Sequence, residues 1–319
     1  LSMGRHGKWA GLVLGVLLVG CGGQPEDRGT ADTPVEAAPA DPAFVADNEA
    51  WRAERRERLL QPDGWASLIG LHWIELPAHY VGSGPTSGIR LAKGPERMGL
   101  LQRQGGKVYL TPESDAALTV DGAPAKGRFE LVPDVTGTPT VVGFDDGKGQ
   151  LVLVDRGGRK ALRVRHAEAE TLTGLAPLDY WPADPAWRVQ ARFVPHPAGK
   201  TIPIMDILSQ QQPQPNPGVV EFERGGASYR LEALEGEDGG LFLVFADRTS
   251  GHESYAAGRY LYTPAPAADG TVEVDFNRAY NPPCVFTDYA TCPLPPPENR
   301  LDLAVTAGEK KYVRPVPTT

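Results

Sequence analysis

Three stretches of this chain alternate apolar and polar residues, and each is interrupted by a pair of glycines. They run from Leu100 to Leu110 around Gly105-Gly106, from Leu151 to Val164 around Gly157-Gly158, and from Val219 to Leu231 around Gly225-Gly226. Period-two alternation gives a strand one buried and one solvated face, and a glycine pair accepts the positive φ that a two-residue hairpin turn demands. Each stretch is therefore read as two antiparallel strands joined by a tight turn. Val120-Asp121-Gly122 and the apolar runs around Phe242 and Val272 extend the set to roughly ten strands or more. No long helical pattern separates them, so a parallel α/β fold is not expected. The predicted fold is mainly β, an antiparallel sandwich or barrel architecture in two halves, preceded by one N-terminal helix.

That helix is predicted over Asp47 to Leu60, with acids early, arginines late, and Trp51, Arg55 and Leu59 on one face. Its arginines read as a solvated face interleaved with Glu49, Glu54 and Glu57. The Pro- and Trp-rich stretch Ala176 to Pro185 is the best internal boundary. It divides the body into residues 44–175, the helix plus a sandwich-like region, and residues 176–319, a C-terminal β domain. The run Gln210 to Pro217 reads as a surface loop of the second half.

The amino terminus carries an address. Arg5 and Lys8 precede an apolar run, Trp9 to Gly20, that is too short to span a bilayer as a helix. The run ends Leu18-Val19-Gly20-Cys21, which has the form of a bacterial lipobox. Residues 1–20 are thus expected to be a lipoprotein signal peptide and Cys21 the lipidated residue, with the acyl chains as membrane anchor at about 0.8 kcal/mol per buried CH₂. Gly22 stands where an inner-membrane retention aspartate would be, which favours the periplasmic face of the outer membrane over the inner. Residues 21–43 are Gly, Pro, Ala, Thr and acids with little to bury, a flexible tether. Removing the signal deletes Arg5, Lys8 and no acid, taking the formal charge from −8 to −10. An acidic surface without a basic run argues against nucleic acid as a partner.

The familiar catalytic and cofactor patterns are not found. None of the six histidines stands at metal-ligand spacing from another, and His72 reads as a satisfied strand histidine. Gly82-Ser83-Gly84 is not a nucleophile elbow, and Gly143 to Gly149 is one residue short of a P-loop and reads as a hairpin turn. No metal and no cofactor is expected.

Chemistry concentrates instead in the twenty-six residues from Asp275 to Arg300, which hold six prolines and two of the three cysteines. Proline removes backbone donors, so this is an ordered loop and not a central strand. Asp247, Glu253, Tyr255 and Arg259 upstream join Asp275, Asn277, Arg278, Tyr280, Asn281, Glu298 and Arg300 in one polar set. Alternation would place Asp275 and Asn277 on one side and Phe276 and Arg278 on the other. Cys284 and Cys292 are a disulfide candidate in an exported chain, with two buried free thiols or a metal or redox use as alternatives.

The same segment carries a resemblance. Asp275-Phe-Asn-Arg-Ala-Tyr-Asn-Pro-Pro-Cys284, Tyr289-Ala-Thr-Cys292-Pro-Leu-Pro-Pro, Glu298-Asn-Arg-Leu301 and Ala307-Gly-Glu-Lys310 resemble the bacterial and archaeal domain of unknown function family 1684. Phe245-Ala-Asp247-Arg-Thr249-Ser-Gly251 and Gly258-Arg259-Tyr260-Leu261 fit it too, as does Gly64-Trp65 with Leu68, Gly70-Leu71 and Trp73. Val285 and Asp288 depart from its pattern. The resemblance implies no activity, and members that look cytoplasmic share the cysteines, which weighs against the disulfide. In the first half, Val81-Gly-Ser-Gly, Ile89-Arg-Leu and Val120-Asp-Gly faintly resemble a forkhead-associated sandwich. The arginine and the serine/histidine pair that bind phosphothreonine there are absent, so phosphopeptide binding is not implied.

Three functional readings stay open. The leading one is an envelope lipoprotein whose C-terminal β domain binds a small anionic ligand through Arg259, Asn277, Arg278, Tyr280, Asn281 and Arg300. A second is a hydrolase using Asp247 or Asp275 with Glu298 as paired carboxylates. The third is an envelope scaffold or interaction module.

Overall fold

The computed structural model describes residues 41–315. The signal segment, Cys21 and nearly all of the tether lie outside the described residues. The helix spans Pro42–Leu60 and starts earlier than the sequence suggested. Asp41 Oδ1 accepts from the Ala43 amide at 3.0 Å and Pro42 occupies the first turn, a capped start. Asp47 and Glu49 consequently sit beyond the first turn, so the expected dipole match at the N-terminus is lost, although Arg58 remains in the last turn. The expected face is buried, with Arg55 and Leu59 enclosed and Trp51 half-buried. Its arginines are not all solvated: Arg52 donates to the Trp181 carbonyl at 2.8 Å, and Arg55 is buried.

All three glycine pairs make two-residue hairpin turns, with φ of +59° and +80° at Gly105-Gly106 and similar values at the others. They join Gly99–Gln104 to Lys107–Pro112, Gly149–Arg156 to Arg159–His166, and Gly218–Arg224 to Ala227–Glu235. In the first half, a six-stranded sheet with Leu68–Trp73, Arg159–His166 and Gly149–Arg156 faces a five-stranded sheet centred on Gly99–Gln104. Between them pack Val81, Leu101 and Leu110 from one sheet and Leu151, Leu162 and Val164 from the other. His72 lies in the first of these strands, but its Nε2 is enclosed without a hydrogen-bond partner, and burial pushes its pKa down.

The second half is one curled sheet of six strands, ordered Arg259–Thr263, Leu241–Phe245, Ala227–Glu235, Gly218–Arg224, Arg188–Pro195 and Thr271–Asp275. The curl brings its two end strands into contact. Phe222, Phe245, Phe276 and Leu261 fill the interior, and the irregular C-terminal segment adds Val305 and Ala307. The segment expected as a loop at Gln210 is paired: Gln211–Pro215 forms a two-stranded ribbon with Thr201–Met205. Pro203 opposes Pro213 there, and a ribbon outside the main sheets tolerates residues that cannot donate. The stretch at 176–185 is irregular, yet Trp181 is buried and donates its amide to the Gly308 carbonyl. The described residues pack as one unit.

Candidate functional site

Strand Leu241–Phe245 continues as Ala246, which pairs with the backbone on either side of Arg300, and then turns. Asp247 Oδ1 accepts from the Thr249 amide at 2.8 Å and holds that turn. Its Oδ2 lies 2.9 Å from Arg259 Nη2. Arg259 is fully enclosed, donates also to the carbonyls of Val305 and Ala307, and is flanked by Trp181 and Phe245. Burial pulls its pKa down, while Asp247 opposes the shift. Gly258 has φ +89°, and a Cβ there would stand 2.4 Å from the Phe245 carbonyl oxygen. Glycine is therefore needed to deliver Arg259 to its place. This is an internal fastening that joins two strands to the C-terminal segment.

Asp275 is likewise occupied. Its Oδ2 accepts from Arg188 Nε at 3.0 Å, and its Oδ1 from the backbone and side-chain amides of Asn277. Residues Phe276–Arg278 form a short 3-10 turn, not an extended strand. Phe276 enters the core, and Asn277 is sealed against the backbone of Asp184. Arg278 reaches out to Asp47 Oδ2 at 2.6 Å, which Arg188 shares at 3.0 Å. Hydrogen bonding from Arg278, ahead of that from Arg188, holds the Asp47 carboxyl below its ordinary range. Asn281 donates its amide to Glu309 Oε2 at 2.7 Å and its side chain to the Lys310 carbonyl. Glu298 and Arg300 are exposed. The hydrolase reading pairs Glu298 with Asp247 or Asp275; Glu298 is exposed, while both aspartates are engaged with arginines.

Of the expected ligand-binding set, Arg278 and Tyr280 face open space together. They line a cleft of about 800 Å³ between the end of the helix, the turn at Trp65, the aromatic strands of the second half and the Pro/Cys loop. Phe242 and Tyr262 are directly opposed across adjacent strands and stack at 4.6 Å between ring centres. Tyr260 packs edge-on to Phe242, and Tyr280 lies nearly parallel to Tyr262 at 6.3 Å. Tyr262 keeps about half of its surface exposed, so the shelf presents an open face. Burial, reinforced by the neighbouring tyrosines, pushes the hydroxyl pKa values of Tyr260 and Tyr280 well up. Both are neutral at physiological pH, and the Tyr260 hydroxyl already donates to the Pro293 carbonyl at 2.8 Å.

Arg55 lies 4.5 Å above the Tyr280 ring and is held by Glu309 Oε1 at 3.0 Å. Glu309 is fully buried and also accepts from the Tyr180 hydroxyl. Its side chain ties helix, loop and C-terminal segment together. Arg58 also lines the cleft; it is exposed and makes no ion pair among the described residues. Cys284 and Cys292 form a disulfide that closes the loop forming the far wall, and Thr291 stands beside it. Among the described residues, no three His, Cys, Asp or Glu side chains converge as metal ligands would.

Sequence reasoning did not single out Arg58, Trp65, Phe242, Tyr262 or Glu309 as site residues. The signal within reach was the Tyr260/Tyr262 pair at strand spacing, which puts two aromatic rings on one face. Glu309 lay inside the Ala307 to Lys310 motif, with nothing local to mark its burial.

Residues 173–310 match the family described as "Protein of unknown function (DUF1684)". This chain belongs to that family. The match covers the second half and the Pro/Cys loop; the helix and Trp65, which supply the other wall of the cleft, lie outside it. A solution structure of an uncharacterised protein from Haloarcula marismortui is 34% identical over 43% of this chain and 77% of its own, with a TM-score of 0.36. The N-terminal FHA domain of EssC, a component of the bacterial Type VII secretion apparatus, is 17% identical over 31% of this chain and 46% of its own, with a TM-score of 0.25. No curated protein matches the chain.

Proposed function

We propose that this DUF1684 protein is a bacterial envelope lipoprotein, anchored through Cys21, that binds a small anionic ligand with a flat or apolar body in the cleft beside its N-terminal helix. The observation that carries this reading is the shelf of Phe242, Tyr262 and Tyr280 facing a cleft that also presents Arg58. Its volume falls in the range of small-molecule sites. Aromatic faces give a ligand apolar area and geometry, each pair contributing about 0.5–1.5 kcal/mol beyond burial. Arg58 supplies a guanidinium that pairs with no carboxylate among the described residues, and Arg278 supplies a second that it shares with Asp47. The site lies away from Arg259 and Arg300, so the anion is met by the helix side of the cleft.

The test is a thermal-shift screen of the protein against metabolites and envelope glycans. A ligand at a hundredfold excess over its Kd adds about 2.7 kcal/mol. Arg58→Ala should weaken the response while leaving the unliganded melting temperature nearly unchanged, because its side chain is solvent-facing; Tyr262→Ala should weaken it too, with a modest loss of stability from the broken Phe242 stack. A hit whose affinity is indifferent to both substitutions would place the ligand elsewhere and end this reading.

A further inference from the structure

Arg163 and Arg165 stand two residues apart on strand Arg159–His166 and so project from one face of its sheet. That face is turned away from the sandwich core, and its other members, Val152, Val154 and Ala161, pack with Leu71 and Trp73. Arg163 is only 5% exposed. It makes no ion pair among the described residues, its Nε has no hydrogen-bond partner, and its Nη2 reaches Thr291 Oγ1 only at 3.5 Å. The Nε of Arg165 is enclosed and unpartnered in the same way. Both guanidiniums lie against the Trp65 ring, at 5.4 and 6.0 Å.

The contrast with the other enclosed arginines is sharp. Arg259 has Asp247 at 2.9 Å, Arg55 has Glu309 at 3.0 Å, and the neighbouring Arg156 has Asp134 at 2.7 Å. A buried cation without a counter-charge is strongly unfavourable, which is why such groups are ordinarily paired. Here burial, with the fields of Arg156 and Arg165 added, brings the Arg163 pKa down to about 10, while Asp134 opposes the shift through space. Asp63 acts on Arg165 through space without forming an ion pair. Among the described residues, then, no carboxylate forms an ion pair with either guanidinium. Beside them, Thr291 Oγ1 accepts from Arg156 Nε at 3.2 Å, which leaves the hydroxyl proton free to be donated.

We propose that Arg163, Arg165 and Thr291 form a seat for a phosphate group, covered by Trp65, between the outer face of the first-half sheet and the disulfide-closed loop. Two guanidiniums without an ion-pair partner among the described residues match the charge of a phosphate or phosphate monoester, about −1.5 to −2 at neutral pH. Arginine donors and a hydroxyl suit its oxygens. Neither guanidinium lines the aromatic cleft, although Trp65 and Thr291 border both, so the two sites are neighbours that different substitutions tell apart. Free phosphate and the phosphate end of a larger monoester share this chemistry.

The experiment measures melting temperature and calorimetric binding for the full chain, with inorganic phosphate in one arm and phenyl phosphate in the other, at matched ionic strength. At a hundredfold excess over Kd, the wild type is expected to gain roughly 5 °C. A response to both probes supports a seat for the free anion, and a response to phenyl phosphate alone supports a monoester ligand. Arg163→Met and Arg165→Met should each lose the response. Without phosphate, Arg163→Met should melt no lower than the wild type, because the substitution removes an unpaired buried charge. A wild type indifferent to both probes overturns the proposal, as does a response that survives in both variants. A large loss of unliganded stability in Arg163→Met would also overturn it, showing the guanidinium to be architecture. None of these failures touches the cleft, which is read through Arg58 and Tyr262.

Discussion

Arg259 Nη2 lies 2.9 Å from Asp247 Oδ2, with both side chains at 1% exposure or less. The pair sits where the strand ending at Phe245, the strand beginning at Arg259 and the segment from Val305 to Glu309 meet. Arg259→Met strands a buried carboxylate and leaves the carbonyls of Val305 and Ala307 without a donor. The expected loss is about 3–5 kcal/mol in urea unfolding, and Asp247→Asn should also be strongly destabilising. Arg300→Ala, at an exposed position, should stay within about 0.5 kcal/mol. Equal effects at Arg259 and Arg300 would contradict this division between fastening and surface.

Glu309 is the second fastening, and it controls the cleft. It accepts from Arg55, Tyr180 and the Asn281 amide, so one carboxylate holds the helix, the 176–185 stretch and the Pro/Cys loop. Glu309→Ala leaves the Arg55 cation buried and unpaired, at a cost of about 3–5 kcal/mol. Hydrogen exchange should show the helix Pro42–Leu60 opening more readily than the second-half sheet, and ligand affinity in the cleft should fall with it. Uniform loss of protection would mean that Glu309 supports the whole fold and not the helix in particular.

The buried tyrosines set an alkaline limit. Tyr260 and Tyr280 have folded pKa values raised, first by burial, above the ordinary value of 10.0. Below about pH 10 both are protonated in the folded and unfolded states, and this contribution to stability is complete. Above it, the unfolded state releases protons that the folded state retains, so stability falls by about 1.4 kcal/mol per pH unit for each tyrosine. Denaturant unfolding between pH 8 and 11 should show the decline, and Tyr280→Phe should make it shallower. An identical slope in that variant would be evidence against a buried, neutral Tyr280.

The Cys284–Cys292 bond closes a short loop at the cleft wall. Reduction is expected to cost about 2.5 kcal/mol by chain-entropy reasoning. A reducing agent should therefore lower the melting temperature of the wild type, while Cys284→Ser/Cys292→Ser should already be low and indifferent to it. No effect of reductant on either protein would favour the free-thiol alternative.

Much of the β architecture was readable because its determinants are local. The pairs at Gly105, Gly157 and Gly225 adopt positive φ and make the hairpins their positions implied. The exceptions have local causes too. The helix begins at Pro42 because Asp41 caps it, and Gln211–Pro215 pairs because a separate ribbon tolerates proline. The polar set was less legible. Asp247, Arg259, Asn277 and Asn281 look alike in sequence to Arg278 and Arg300, yet the first four are sealed and the last two reach solvent.

From the sequence alone came the antiparallel hairpins, the helix and the position of the Pro/Cys loop, since each depends on residues within a few positions of one another. Tertiary structure decided which charges are fastenings and which are free. Whether Arg163 is paired depends on sheet neighbours and on Thr291, 128 residues away, and the partner of Arg55 is 254 residues distant. Burial and counter-charge are properties of the assembled surroundings, and alternation or turn chemistry does not encode them.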